Sequence, residues 1–311
     1  MPAASAFTPV RPRRGGVSRR STAARHWHAP VTLAFVPLAL CVFMPGWLLL
    51  SGCVPLPDGA LEAIPQPVVQ TTEPPFAGLA PGYKTYESAH FLVKAYASET
   101  AVSYSVICEG NYNRVMGDVG LYSFAPVRPY NIVVYKDPEE YRKNTGQPDW
   151  SGGISYGNAI LVYESQGAAA ILAHEMTHLI FNEFMGLANS GDYKWINEGL
   201  AVYEETRASA SSKAVYGQRV ASLVAPNPIP FSQLINLAPQ GERTAVVERW
   251  YAQAGSVVSF MINEGGTLGF SIFITKLKAG AVPDAAVGEA FPGLWKNIGE
   301  IEKAWLLHIK S

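Results

Sequence analysis

The chain has 311 residues, 48% of them hydrophobic, 11% aromatic and only 16% charged. That composition fits a folded chain with one sizeable core and speaks against disorder. Residues 1–52 hold six of the 24 basic residues and none of the 25 acidic ones, so the remainder carries a net charge near −7, which argues against nucleic acid as a partner.

The first segment is a leader. Residues 11–28 are rich in Arg, and Val31 to Leu50 contains no charged residue. Ser51-Gly52-Cys53 follows at once, and the order of basic, apolar and small residues is that of a secretory signal. Leu50-Ser51-Gly52-Cys53 resembles the bacterial lipobox. The resemblance implies cleavage before Cys53, a lipid on its thiol and an exported protein held at a bacterial cell membrane. An uncleaved anchor is the competing reading, since the apolar run is long enough to span a bilayer. Residues 53–82, rich in Pro and Gly, read as an extended tether. The domain is expected over residues 83–311.

Residues 83–96 alternate around His90-Phe91-Leu92-Val93 and predict a strand or hairpin. Residues 100–118 predict a helix with Val102, Val106, Tyr112, Val115 and Met116 on its apolar side. Cys108 lies within it and reads as a small buried hydrophobe; with Cys41 in the leader, no thiolate metal cluster is available. Residues 130–135 form a strand, and Asp137-Pro138-Glu139-Glu140 starts a helix that ends at Thr145-Gly146. Residues 152–163 predict an edge hairpin turning at Gly157-Asn158. From Gly167 onward the pattern is helical, over 167–185, 193–208, 212–224, 248–264, 267–279 and 293–310.

The chemistry concentrates in two of these helices. His174-Glu175-Met176-Thr177-His178 is an HExxH motif, and beyond the leader only His90 and His308 remain besides its two histidines. Positions four apart share a helix face, so both imidazoles can reach one ion. Imidazole and carboxylate suit Zn²⁺, and three protein ligands leave a fourth position for water. Glu175 is placed to take a proton from that water and return it to a leaving amine. The third ligand is expected at Glu198, 20 positions after His178, on a second helix packed antiparallel to the first. Glu204 and Glu205 are rivals, read as more solvent-facing or as partners of a ligand histidine.

His90-Phe91, His174 to His178 and Trp195-Ile196-Asn197-Glu198-Gly199-Leu200-Ala201-Val202-Tyr203 together resemble the gluzincin superfamily, in particular bacterial peptidase MA-like domains. The resemblance covers roughly residues 83–310. It implies an α+β, thermolysin-like zincin, with a small mixed sheet packed on the HExxH helix and an α-helical C-terminal subdomain. It also implies zinc, Glu198 as the third ligand and hydrolysis of a peptide or protein substrate. Trp250-Tyr251-Ala252-Gln253-Ala254-Gly255 resembles the helix start that supplies an oxyanion donor in aminopeptidase-type relatives, which makes Tyr251 the candidate. A half-buried packing role for Tyr251 stands beside that reading. His308 is an alternative donor, read as a surface residue. No Gly-x-Met-Glu-Asn element is present, a departure that speaks against aminopeptidase action and leaves endopeptidase as the expectation. The alternative function is an inactive zinc-binding surface lipoprotein that binds a partner. An intact Glu175 weakens it.

Overall fold

The computed structural model describes residues 75–186, 191–237 and 244–310. The leader, the lipobox and Cys53 lie outside the described residues.

The N-terminal half is built on a hairpin, β1 (Lys84–Glu87) and β2 (Phe91–Ala95), followed by helix α1 (Ser98–Val119), strand β3 (Tyr130–Tyr135) and helix α2 (Pro138–Thr145). A second hairpin of β4 (Gly153–Tyr156) and β5 (Ala159–Tyr163) leads into α3 (Ala168–Met185). Gly157 takes a φ of +58° in the two-residue turn, a conformation that costs a glycine little. The five strands form one mixed sheet in the order β1-β2-β3-β5-β4, with parallel β2–β3 and β3–β5 pairs and β4 at one edge.

Strand periodicity divides the sheet into two faces. Phe91, Val93, Ile132, Val134, Ile160 and Val162 lie fully buried in the main core, which takes in the inner faces of α1 and α3. Tyr135, Ala159 and Leu161 point the other way, into a smaller cluster with Tyr141 of α2. Phe76 and Leu79 pack against that second cluster, and the Tyr135 hydroxyl donates to the Ala77 carbonyl at 2.5 Å. Part of the stretch read as tether is thus seated on the sheet, because two apolar side chains among its prolines find an uncovered face.

The remaining described elements are helical. They are α4 (Lys194–Arg207), α5 (Ala210–Arg219) with a π-helical turn at Val220–Val224, a single turn α6 (Phe231–Leu234), α7 (Thr244–Lys278), α8 (Pro283–Ala290) and α9 (Ile298–His308). α7 runs through both predicted segments, 248–264 and 267–279, and breaks its helical geometry only at Gly266, where φ is +76°. The span predicted as one helix over 293–310 begins instead with a turn, and α8 precedes it.

The expected apolar face of α1 holds at Tyr112, Val115 and Met116 and fails in the first half of the helix. Val102 and Val106 are exposed, whereas Ala101, Tyr104, Cys108, Tyr112 and Val115 are buried. The helix meets both β2 and α3, and the stripe that reaches both starts one position before Val102. Cys108 is a free, fully buried thiol whose pKa burial pushes up, as expected of a packing residue.

α4 crosses α7 with almost no space between backbones. A Cβ on Gly199 would lie 2.6 Å from the Ala254 carbonyl oxygen, and one on Gly255 2.6 Å from Val202 Cγ1. Each glycine therefore permits the approach that brings the start of α7 alongside Glu198. Gly199→Ala should force the helices apart and destabilise the fold by roughly 1–3 kcal/mol. That amounts to a melting-temperature fall of several degrees, about 2–4 °C per kcal/mol in a domain of this size. An unchanged melting temperature would contradict the close crossing.

Candidate metal centre

α3 is buried almost all the way round, through Leu172, Ala173, Met176, Thr177, Leu179, Ile180 and Phe181. One stripe stays partly open: Ile171, His174, Glu175, His178 and Asn182. Those positions recur with the helical period, so the polar residues of the motif share one partly open side of α3. α4 supplies the facing stripe, with Asn197, Glu198 and Glu205 partly open between buried Ile196, Leu200, Ala201 and Val202.

The donors converge. One ligand atom from each of His174, His178 and Glu198 falls within 4.8 Å of the other two. Glu198 Oε2 is 3.5 Å from His178 Nε2 and 4.0 Å from His174 Nε2. Ligand atoms around a tetrahedral ion with bonds of about 2.1 Å stand about 3.4 Å apart, so small side-chain rotations close this triangle on one ion. The two imidazole planes lie 83° apart, with ring centroids at 4.9 Å.

The far side of each ring is also engaged. His174 Nδ1 donates to Glu205 Oε2 at 3.0 Å, and His178 Nδ1 donates to Asn197 Oδ1 at 2.9 Å. Asn197 Nδ2 in turn donates to Asn182 Oδ1 at 3.2 Å, which fixes the amide's orientation. With both Nδ1 atoms carrying protons, the Nε2 lone pairs are left to face the shared point. Burial pulls the His174 pKa down, but the Glu205 hydrogen bond and the charges of Glu175, Glu205 and Glu198 together hold it above its usual value. A site that favours a proton there offers a cation the same field. These pairings also set the helix directions: the early His174 meets the late Glu205, and the later His178 meets the early Asn197, so α3 and α4 run antiparallel.

Of the two expectations for Glu204 and Glu205, facing solvent or partnering a ligand histidine, Glu205 meets the second and Glu204 meets neither. Its side chain is 0% exposed, and Arg114 of α1 donates to its Oε2 from Nε at 3.1 Å and to its carbonyl from Nη2 at 3.2 Å. Burial, with Asp118 nearby, pushes the Glu204 pKa up to about 7 against the pull of Arg114. Arg114 also donates to Asn111, whose amide donates to the Ala169 carbonyl at the start of α3. One partly buried chain of hydrogen bonds thus ties α1 to both helices of the site.

Tyr251, on α7, is partly buried and close enough to be affected by two of these carboxylates. Burial first, then the negative charges of Glu198 and Glu175, push its pKa up to about 12. The phenol therefore stays protonated at neutral pH and able to donate. His308 is exposed at the end of α9, with its ring against Phe260. His90 pairs with Glu109 at 2.7 Å and stacks on Tyr112, where it fastens β2 to α1.

Asn182 and Asn197 received no role from the sequence. Their signal was available in spacing, since Asn182 lies four residues after His178 and Asn197 just before Glu198.

A family model described as the Peptidase MA superfamily matches residues 114–311. No curated protein matches the chain. Loss of the carboxylate behind His174 should loosen the centre without unfolding it. Glu205→Ala is expected to weaken metal binding about 10–100-fold in competition with a chelator, with the metal-free melting temperature little changed. Unaltered affinity would remove Glu205 from this role. The matched span covers more than half of the chain and includes both helices that carry the His-His-Glu group, and the chain belongs to the Peptidase MA superfamily, as a gluzincin-like domain.

Proposed function

We propose that this protein is a zinc-dependent peptidase, an endopeptidase of thermolysin-like arrangement, and that Cys53 tethers it by lipid to the exported side of a bacterial membrane. The observation that carries the catalytic reading is the convergence of His174 and His178, on the open stripe of α3 that also bears Glu175, with Glu198 of the facing α4. The two imidazoles and one carboxylate fit Zn²⁺ in number and type of donor, and leave an open position that a purely structural site has no need of. The ion, when bound, supplies Lewis acidity toward a peptide carbonyl and lowers the pKa of water.

The chain's own residues account for the remaining steps. Glu175, one position round the helix from His174, takes the proton from the attacking water and passes it to the departing amine nitrogen. Tyr251, neutral at working pH, donates a hydrogen bond to the oxygen that gains charge as the carbonyl carbon becomes tetrahedral. Glu205 and Asn197 hold the two rings so that no reorientation is needed during the reaction. The free edge of β4 offers main-chain groups to an extended peptide, which favours a substrate bound along its length. The absence of a Gly-x-Met-Glu-Asn element supports internal cleavage over trimming from a free N-terminus.

The roles separate under mutation. Glu175→Gln should retain zinc and lose measurable turnover of an unstructured protein substrate. Tyr251→Phe should lower kcat by roughly 100-fold with little change in KM, because its bond forms only in the transition state. Full activity in Glu175→Gln would refute the assignment of the base. An unaltered kcat in Tyr251→Phe would return Tyr251 to a packing role.

A further inference from the structure

Among the described residues, Trp150 is the most exposed large apolar side chain, at 85%. The residues that follow it are anchored. The next residue, Ser151, is buried, and its hydroxyl accepts from the Tyr141 hydroxyl at 2.9 Å while donating to the Gly153 carbonyl at 3.0 Å. Gly152 and Gly153 are pressed onto α3: a Cβ on either would stand 2.6 Å and 2.7 Å from Ile171 side-chain atoms. Ile171 shares the open stripe of α3 with His174 and Glu175, one turn away. The negative charge of Glu175 also acts on Tyr141, after burial and the Ser151 bond, so the side chain that anchors the residue after Trp150 lies within electrostatic range of the proposed base.

Trp150 is therefore a bare indole at the mouth of the edge strand β4, with its backbone no more than about 7 Å from a segment clamped to the active-site helix. Neither the packing of the sheet nor the ion pair of its neighbour Asp149 with Arg142 uses the ring. A bulky aromatic beside a strand edge, on a backbone anchored by the residues that follow it, contributes contact area at low entropic cost because it has only two side-chain torsions to fix, and aromatic side chains are its best partners. We infer that Trp150 selects substrate: its indole receives a large aromatic side chain of the extended peptide lying along β4. This inference rests on the peptidase reading and adds a substrate class to it.

The test compares two fluorogenic peptides, identical except that one carries Phe and the other Ala on both sides of the scissile bond and at the positions next outward. The full chain, zinc-loaded, should show a higher kcat/KM for the Phe peptide. Trp150→Ala should remove about tenfold of that preference, through KM rather than kcat, while the Ala peptide and the zinc content change little. Trp150→Phe should restore most of the difference. Equal values for the two peptides in the wild type, or an equal response of both to Trp150→Ala, would overturn the inference and leave the peptidase reading intact. A zinc-loaded wild type that cleaves neither these peptides nor an unstructured protein would remove both.

Discussion

Three side chains from two helices can meet at one ion only if those helices are held in register, and that constraint governs this structure. α3 contributes both histidines from a single stripe, so their relation to each other follows from helix geometry alone. The relation of Glu198 to them does not. It depends on the antiparallel pairing of α3 with α4, which the His174–Glu205 and His178–Asn197 bonds fasten at two levels. Most of the surrounding architecture serves to keep that pairing in place.

Three supports bear on it. The sheet holds α3 from one side, with Ile160 and Val162 in the shared core and Gly152 and Gly153 against Ile171. α7 holds α4 from another, close enough at Gly199 and Gly255 that a methyl group would not fit. The third support is polar: Arg114 and Asn111 of α1 link the Glu204 carboxylate on α4 to the Ala169 carbonyl on α3. A buried ion pair gives little net stability, since desolvation offsets its attraction, but breaking one partner is costly. Here the pair bridges the two helices that must not shift. The same close crossing that admits α7 brings Tyr251 under the influence of Glu198 and Glu175, so the proposed donor and the proposed third ligand are positioned by one cause.

The sequence carried the grouping of the candidate site residues more fully than the packing around them. The four-residue spacing of His174 and His178 required only helix periodicity to read, and Glu198 stood out as a carboxylate in an apolar helix start. The strands 130–135 and 152–163 were legible from β-branched runs and the Gly157-Asn158 turn. What stayed hidden depended on distant partners. Glu204 and Glu205 are neighbours about 100° apart on a helix; which one is buried is decided by Arg114, 90 positions earlier. Val102 and Val106 make as good an apolar stripe as the true one until β2 and α3 are in place. Phe76 and Leu79, set among prolines, gave no periodicity to mark their seat on the sheet.

In the proposed centre, Glu198 completes a three-ligand zinc site with the two histidines of α3. Equilibrium dialysis with zinc, on the wild-type chain and on Glu198→Ala, tests it most directly. One tightly held zinc per wild-type chain is expected, with binding weakened by well over 100-fold once the carboxylate is removed and the helical content preserved. One zinc held with undiminished affinity by Glu198→Ala would contradict it.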